Sequence, residues 1–230
     1  MNARSSTVKP CLVCGHPVHI IEDPTLKKPQ VVTYDVCEHC DFIRKQPRHH
    51  LDTQAEHAQY LHHVNTIENV GYVTMFKRFI AEAIDPFITK GKGLDFGSGP
   101  GPVLYELLKI KGFDMAHYDP YFNPNLSVFE ARYDLITSTE VFEHLADPQK
   151  TLSRLTECLK NKGVLAIMTS FHQKDIAVFL NWWYRRDSTH IAFYTLKTFE
   201  FLIEEMPLHI VYTNNKNIIV LQKRLGSDER

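Results

Sequence analysis

Residues 93–102 read Gly93-Leu94-Asp95-Phe96-Gly97-Ser98-Gly99-Pro100-Gly101-Pro102, a short apolar strand signal running directly into a glycine turn. A helix follows, with Leu104, Leu107, Leu108 and Ile110 at the spacing of one buried face. The next strand signal, Phe113–Tyr118, ends in Asp119-Pro120, which places an acidic residue 22 positions after Gly97. A carboxylate at that spacing suits the hydroxyls of a ribose held beside the turn. The dinucleotide fingerprint G-x-G-x-x-G would put its third glycine at 102, where this chain has Pro102; the third glycine is Gly101, in the pattern D-x-G-x-G-x-G. A pyrophosphate needs the helix N-terminus left open for its charge. This turn leaves room instead for a nucleoside with an amino-acid tail. Asp95, at the strand end, suits a cationic or ammonium-bearing ligand and would be out of place beside a pyrophosphate. The alternative is a structural turn that binds nothing.

Strands and helices go on alternating downstream. A third candidate strand lies near Leu126–Phe129, and Tyr133–Ser138 is a strand followed by Thr139-Glu140-Val141-Phe142-Glu143-His144. A helix from about Pro148 to Lys160, a strand at Gly163–Thr169, an irregular stretch to Tyr194 and a helix Leu196–Met206 come next. A hairpin then pairs Leu208–Thr213 with Asn217–Lys223 across Asn214-Asn215-Lys216. Repeated β-α-β units predict an α/β fold, a doubly wound parallel sheet with helices on both faces, and the hairpin adds an antiparallel edge.

Upstream, four of the five cysteines form Cys11-x2-Cys14 and Cys37-x2-Cys40, with 22 residues between the pairs. Paired thiols at this spacing in a cytosolic chain predict four zinc ligands, each pair on a tight turn. Short alternating stretches at Val18–Ile20 and Val31–Tyr34, flanking Pro24, Lys27, Lys28 and Pro29, match the two strands of a zinc ribbon. A redox dithiol lacks the βαβ setting it needs, and disulfides do not fit a reducing compartment. Cys158 lies in the helical pattern Leu152, Leu155, Leu159 and is expected to be a buried apolar residue. Between ribbon and sheet, Gln54–Asn69 has helical composition and carries His57, Tyr60, His62, His63 and Asn65. Tyr72–Phe87 resumes with helical apolar spacing after Gly71. The organisation expected is therefore a zinc-ribbon segment over 1–46, a helical linker or lid over 47–90 and the α/β domain over 91–230.

The 230 residues are 43% hydrophobic and 23% charged, which excludes disordered and low-complexity classes. The net charge of −1 gives no global field towards nucleic acid or anionic membranes. No apolar run suits a membrane span or a signal peptide, so a cytoplasmic address is expected. Residues 1–50 hold seven Lys or Arg against five acids, and the 2− charge of a tetrathiolate zinc site cancels that excess. Nucleic-acid modules carry a clearly basic face.

Taken together, residues 92–223 resemble a class I S-adenosylmethionine-dependent methyltransferase. The resemblance rests on Asp95-Phe96-Gly97-Ser98-Gly99-Pro100-Gly101, on Tyr118-Asp119-Pro120, on Asp134-Leu135-Ile136 leading into Thr139–His144, and on Gly163-Val164-Leu165. It implies that Gly97, Ser98 and Gly99, with Gly101 completing the turn, cradle the methionine part of S-adenosylmethionine. It implies that Asp119 holds the ribose and that Glu140 and Val141 line the methyl-donor pocket. The family's usual acidic residue near the adenine amine is not evident around Phe129–Arg132, so adenine contacts stay unassigned. The ribbon and the segment Trp182–Tyr194 are similar to uncharacterised bacterial methyltransferases and, more distantly, to zinc-carrying sugar C-methyltransferases.

Methyl transfer from a sulfonium needs alignment and, for oxygen or activated carbon acceptors, a base near the carboxyl ends of the strands. His144 and His190 are the candidates, with Glu143 beside them, and Asp187-x-x-His190 spacing permits a carboxylate to orient the imidazole. Asp187 and Thr189 capping a turn is the competing reading. The acceptor site is expected between the His-rich helix and the loop Asn181–Tyr194. The function expected is O- or C-methylation of a small metabolite such as a sugar or quinol-like compound, without nucleic acid or membrane partners. The alternative is an RNA- or protein-modifying methyltransferase that docks its substrate on the ribbon.

Overall fold

The structure is a computed structural model that describes residues 9–25, 31–62 and 66–225. Lys27, Lys28, Pro29, His63 and Asn65, named above, lie outside the described residues.

A six-stranded sheet is built from β4 (Lys92–Phe96), β5 (Asp114–Tyr118), β6 (Tyr133–Thr139), β7 (Leu159–Met168), β9 (Leu208–Thr213) and β10 (Ile218–Lys223), in the order β5-β4-β6-β7-β10-β9. The four central and edge strands β5, β4, β6 and β7 run parallel, and β10 and β9 add the antiparallel hairpin. Side chains along β7 alternate between faces, as strand geometry requires. Leu165 and Ile167 pack with Leu152 and Leu155 of α4 (Pro148–Cys158) and Phe199 of α6 (Leu196–Leu202). Val164, Ala166 and Met168 pack with Phe76 and Phe79 of α2 (Val70–Ala83) and Leu104 of α3 (Val103–Ile110). These are the two helical layers of a doubly wound fold. Cys158 is buried at the end of α4, as its helical spacing requires.

The chain leaves β4 towards β5 on one side and returns to β6 on the other, so the strand order reverses between β4 and β6. The crevice beyond their carboxyl ends is where open α/β sheets bind ligands.

Three sequence expectations need correction. Leu126–Glu130 is a 3-10 turn rather than a third strand, because Asn125 caps it by accepting from the Ser127 amide at 3.1 Å. Ile110, the last residue of α3, is exposed. The stretch before Tyr194 is not irregular: it holds α5 (Ile176–Asn181), a 3-10 turn Tyr184–Arg186 and β8 (Ala192–Phe193).

The N-terminal strands β1 (His19–Asp23) and β2 (Val32–Val36) form the expected hairpin, and β3 (Ile43–Lys45) extends it. Unexpectedly, β8 pairs antiparallel with β3, through Ile43 opposite Phe193 and Arg44 opposite Ala192, so one four-stranded sheet joins the ribbon to the loop after β7. Tyr34, Ile43, Phe179, Tyr184 and Phe193 fill its core. Beneath it the fully buried Arg185 pairs with Asp23 and donates from Nε to the Phe179 carbonyl at 3.0 Å. α1 (Thr53–Tyr60), capped by Asp52, follows the ribbon.

Candidate active site

One cavity of about 620 Å³ opens beyond the carboxyl ends of β4 and β6, and it is lined by every residue expected of the cofactor and catalytic sites: Asp95, Gly97, Ser98, Gly99, Gly101 and Asp119 at one end, Glu140, Val141, His144, Asp187 and His190 at the other. Its size is that of a ligand pocket.

At the first end the glycine turn is set by sterics. Gly97 has φ +79°, and a Cβ there would stand 2.2 Å from Val141 Cγ2. The Gly97 amide donates to the Tyr118 carbonyl at 2.7 Å, locking the turn to the end of β5. Asp119 accepts from the Gly99 amide at 2.9 Å with Oδ2, and from the Tyr121 and Phe122 amides at 2.9 and 3.1 Å with Oδ1. Asp119 thus holds both the glycine turn and its own loop. Asp95, buried at the end of β4, accepts from Thr137 Oγ1 at 2.8 Å. Burial pushes its carboxyl up to about 7, with the Asp119 charge adding to the effect. Phe96, Tyr118 and Phe129 stack as an aromatic wall beside it, with Arg154 over the Phe129 ring.

At the other end Glu140 takes φ +54°, an uncommon conformation for a non-glycine residue, and its amide donates to the Met168 carbonyl at 2.8 Å. Burial, reinforced by the charge of Glu143, raises its carboxyl well above the usual carboxylate range. Glu143 is fully buried; its Oε1 accepts from Tyr184 Oη at 2.6 Å and its Oε2 from Thr169 Oγ1 at 2.8 Å. Burial also pushes the Tyr184 phenol up, with the Glu143 charge next in effect, so it stays a donor.

His190 Nδ1 donates to the Tyr184 carbonyl at 2.7 Å, and His144 Nδ1 donates to the Thr189 carbonyl at 3.1 Å. A carbonyl only accepts, so in both rings Nδ1 carries a hydrogen, and the tautomer this selects for the neutral imidazole presents its lone pair on Nε2. Burial, with the neighbouring His144 charge next, pushes His190 from 6.5 down to about 4. The Asp187 carboxylate lies 3.9 Å from His190 Nε2, beyond hydrogen-bond length, and its Oδ1 accepts from Thr189 N and Oγ1 at 2.9 and 2.6 Å. Orientation of the His190 ring therefore comes from a backbone carbonyl, and Asp187 caps the turn. Burial opposes ionisation of Asp187, but the Thr189 hydrogen bonds hold its carboxyl below the usual range.

The sequence did not single out Glu56 or Tyr121, and placed Tyr60 only on a His-rich helix. Tyr60 and Tyr121 each donate to the Glu56 carboxylate, at 2.7 and 2.8 Å, and the Tyr60 ring meets His144 edge-on at 5.4 Å. Glu56 and Tyr60, one helical turn apart, make α1 part of the cavity wall, which Trp183 and Tyr184 also line. Trp182 instead packs with Phe193 in the ribbon core. The i,i+4 spacing of Glu56 and Tyr60 was the available signal.

Residues 60–212, which include the glycine turn and the acidic strand end, match the methyltransferase-domain family model. The chain belongs to that family. The methyltransferase shares its fold with mitomycin 7-O-methyltransferase, at 14% identity over 76% of this chain and 59% of that one, with a TM-score of 0.52. A candidate S-adenosyl-L-methionine-dependent methyltransferase from Methanococcus maripaludis matches at 16% identity over 76% of this chain and 90% of that one, with a TM-score of 0.47. Coclaurine N-methyltransferase bound to N-methylheliamine and SAH matches at 14% over 61% and 50%, with a TM-score of 0.41. No curated protein matches the chain. The family and fold make the methyltransferase a class I, S-adenosylmethionine-dependent enzyme.

Away from the cavity, Cys11, Cys14, Cys37 and Cys40 bring their sulfurs within 4.8 Å of one another, with Cys11–Cys40 at 3.6 Å and Cys14–Cys37 at 3.5 Å. The thiols are free of disulfides. A tetrahedral ion bonded to sulfur at about 2.3 Å has edges of about 3.8 Å, so the donor set fits zinc. Among the described residues no helix is long and apolar enough to cross a membrane.

Proposed function

We propose that this methyltransferase transfers the methyl group of S-adenosylmethionine to an oxygen or activated carbon of a small-molecule acceptor. The observation that carries the reading is the continuity of one cavity from Asp95 and Asp119 to the two imidazoles of His144 and His190. A donor and an acceptor can therefore meet without crossing solvent. Gly97, Ser98, Gly99 and Gly101 take the amino-acid tail, Asp119 the ribose and Asp95 the ammonium. Glu140 and Val141 border the reacting methyl. S-adenosylmethionine, when bound, supplies the activated methyl, and the chain supplies alignment and proton removal. His190 or His144 takes the acceptor's proton on Nε2, the atom each carbonyl-bound Nδ1 leaves free. Asp187, 3.9 Å from His190 Nε2, stabilises the imidazolium once formed. Tyr184 and Tyr60, with the more exposed Trp183 at the cavity's edge, line the pocket with rings that favour a sulfonium through their faces.

Residues 1–46 form the zinc-ribbon segment in this reading, 47–90 the helical linker and lid, and 91–230 the catalytic domain, with zinc structural because four thiolates leave no open position. The β3–β8 pairing gives the ribbon a task within the fold, which favours this reading over macromolecule docking. Titration calorimetry should show binding of S-adenosylmethionine and none of a nicotinamide dinucleotide; the reverse preference overturns the reading. Labelled methyl donor supplied to a size-fractionated cell extract should label the low-mass fraction. Label confined to RNA or protein would refute the acceptor class.

A further inference from the structure

We propose that Glu143, His144 and His190 form a second metal site, which holds a divalent first-row cation at the acceptor end of the cavity, separate from the four cysteines. The proposal rests on the methyl-transfer reading only for what the cation does there, not for its binding. One carboxylate oxygen and one nitrogen from each ring lie within 4.8 Å of one another. An ion at the centre of such a triangle stands no more than about 2.8 Å from each atom before any side chain moves, against about 2.0–2.2 Å in a formed site. Ordinary adjustment of two imidazoles closes that gap.

Three independent features point to a cation. Each ring has its Nδ1 fixed by a backbone carbonyl, Thr189 for His144 and Tyr184 for His190. That is the outer arrangement by which metal-ligating histidines hold their tautomer and aim Nε2. Glu143 is likewise fixed, by Tyr184 Oη and Thr169 Oγ1, one bond to each oxygen, which leaves lone pairs for a metal. Finally, Glu143 buries its carboxylate beside that of the more exposed Glu140, the two bridged by one phenol, and among the described residues neither makes an ion pair with Lys or Arg. Buried carboxylates are normally paired or bound to metal. Among the described residues Glu143 makes one ion pair, with His144 Nε2 at 4.0 Å, itself one of the ligands.

Two imidazoles and a carboxylate suit Mn²⁺, Fe²⁺ or Zn²⁺ and leave open positions towards the cavity. An acceptor hydroxyl bound there loses its proton to solvent, the oxygen attacks the methyl carbon, and the carbon–sulfur bond breaks to give the neutral thioether. With the cation present the two histidines act as ligands rather than as bases.

The test uses the full chain loaded with one zinc at the cysteines. Mn²⁺ binding is read by electron paramagnetic resonance and by calorimetry, without acceptor, on the wild type, His144→Ala, His190→Gln and Glu143→Gln. One Mn²⁺ per wild-type chain is expected, displaced by excess Zn²⁺, with each variant binding at least ten-fold more weakly. Circular dichroism and melting temperature select the variants that remain folded, and His144→Ala, at the half-buried ligand, is the least disruptive. No Mn²⁺ or second zinc in the wild type, or unchanged affinity in the folded variants, overturns the proposal. S-adenosylmethionine binding measured in parallel separates the two readings: its presence without Mn²⁺ sinks only the metal site, and its absence with Mn²⁺ bound sinks only the methyl-transfer reading.

Discussion

Replacing Asp95 with asparagine should stabilise the ligand-free protein at alkaline pH while weakening its hold on the methyl donor. Asp95 is 3% exposed, and burial raises its carboxyl from the ordinary 3.8 to about 7. Between those values the unfolded chain ionises and the folded one keeps its proton, so native stability falls as pH rises through the window. The loss is roughly 4 kcal/mol at pH 8 and under about 2 kcal/mol at pH 5. Asparagine carries no charge to desolvate and keeps an oxygen for Thr137 Oγ1. It cannot accept from the Tyr105 amide if its nitrogen faces that group, which removes about 1 kcal/mol of the gain. Urea unfolding should therefore show Asp95→Asn more stable than the wild type by about 3 kcal/mol at pH 8 and by less than about 1 kcal/mol at pH 5. The same change removes the counter-charge for an ammonium, and charge-assisted bonds contribute about 1.5–3 kcal/mol. Calorimetry should thus find S-adenosylmethionine bound roughly ten- to a hundred-fold more weakly. A variant less stable than wild type at pH 8, or one whose advantage does not change between the two pH values, would refute the reasoning.

Gly97→Ala should lower donor affinity more than ten-fold by calorimetry, because its Cβ would lie 2.2 Å from Val141 Cγ2 at φ +79°; adding Val141→Ala should restore part of the loss, since room returns but the backbone strain remains. Asp119→Asn should weaken binding and lower the melting temperature together, because its amide nitrogen cannot accept from both the Gly99 and Tyr121 amides. Asp23→Ala should destabilise the protein by about 3–5 kcal/mol in urea, as it strands the buried Arg185 guanidinium. Elemental analysis should find one tightly held zinc per chain, lost in Cys37→Ser, with limited proteolysis opening residues 9–45 first.

What the sequence made legible was whatever short-range chemistry decides. The run Asp95–Gly101 reads as a strand-to-helix turn because glycines are needed where φ is positive, and the structure has Gly97 and Gly99 there. The cysteine pairs read as one site because two tight turns must aim four sulfurs together. What stayed hidden depends on contacts between distant segments. β8 is two residues long and exists because Ile43, 150 positions away, offers an edge to Phe193. The spacing Asp187-x-x-His190 fits both a catalytic pair and an Asx turn; the Thr189 bonds to Asp187 and the Tyr184 carbonyl on His190 decide for the turn. Leu126–Phe129 is apolar enough to be a candidate strand, yet the Asn125 cap winds it into a turn. Val141 was legible as a pocket residue, but not as the reason Gly97 must be glycine.

The ribbon and the acceptor wall are mechanically one body. Lys45, at the end of β3, donates from its backbone to the Ile191 carbonyl at 2.8 Å and from Nζ to the Ser188 carbonyl at 3.1 Å, flanking His190 on both sides. Thr198 Oγ1 donates to the Cys40 carbonyl at 2.9 Å, so a cysteine turn is itself fastened to α6. Arg185 ties Asp23 of β1 to the turn that begins with Tyr184, whose phenol and carbonyl hold Glu143 and His190. The donor end is held within the large sheet, by the Gly97 amide on Tyr118, the Gly99 amide on Asp119 and Thr137 on Asp95. Stripping zinc should for that reason loosen the acceptor wall and spare the donor end. Hydrogen exchange after chelation should rise across 9–45 and 182–194 and stay low across 93–99 and 116–119, with S-adenosylmethionine affinity kept. Equal exchange at both ends would show that the two sheets do not divide the work in this way.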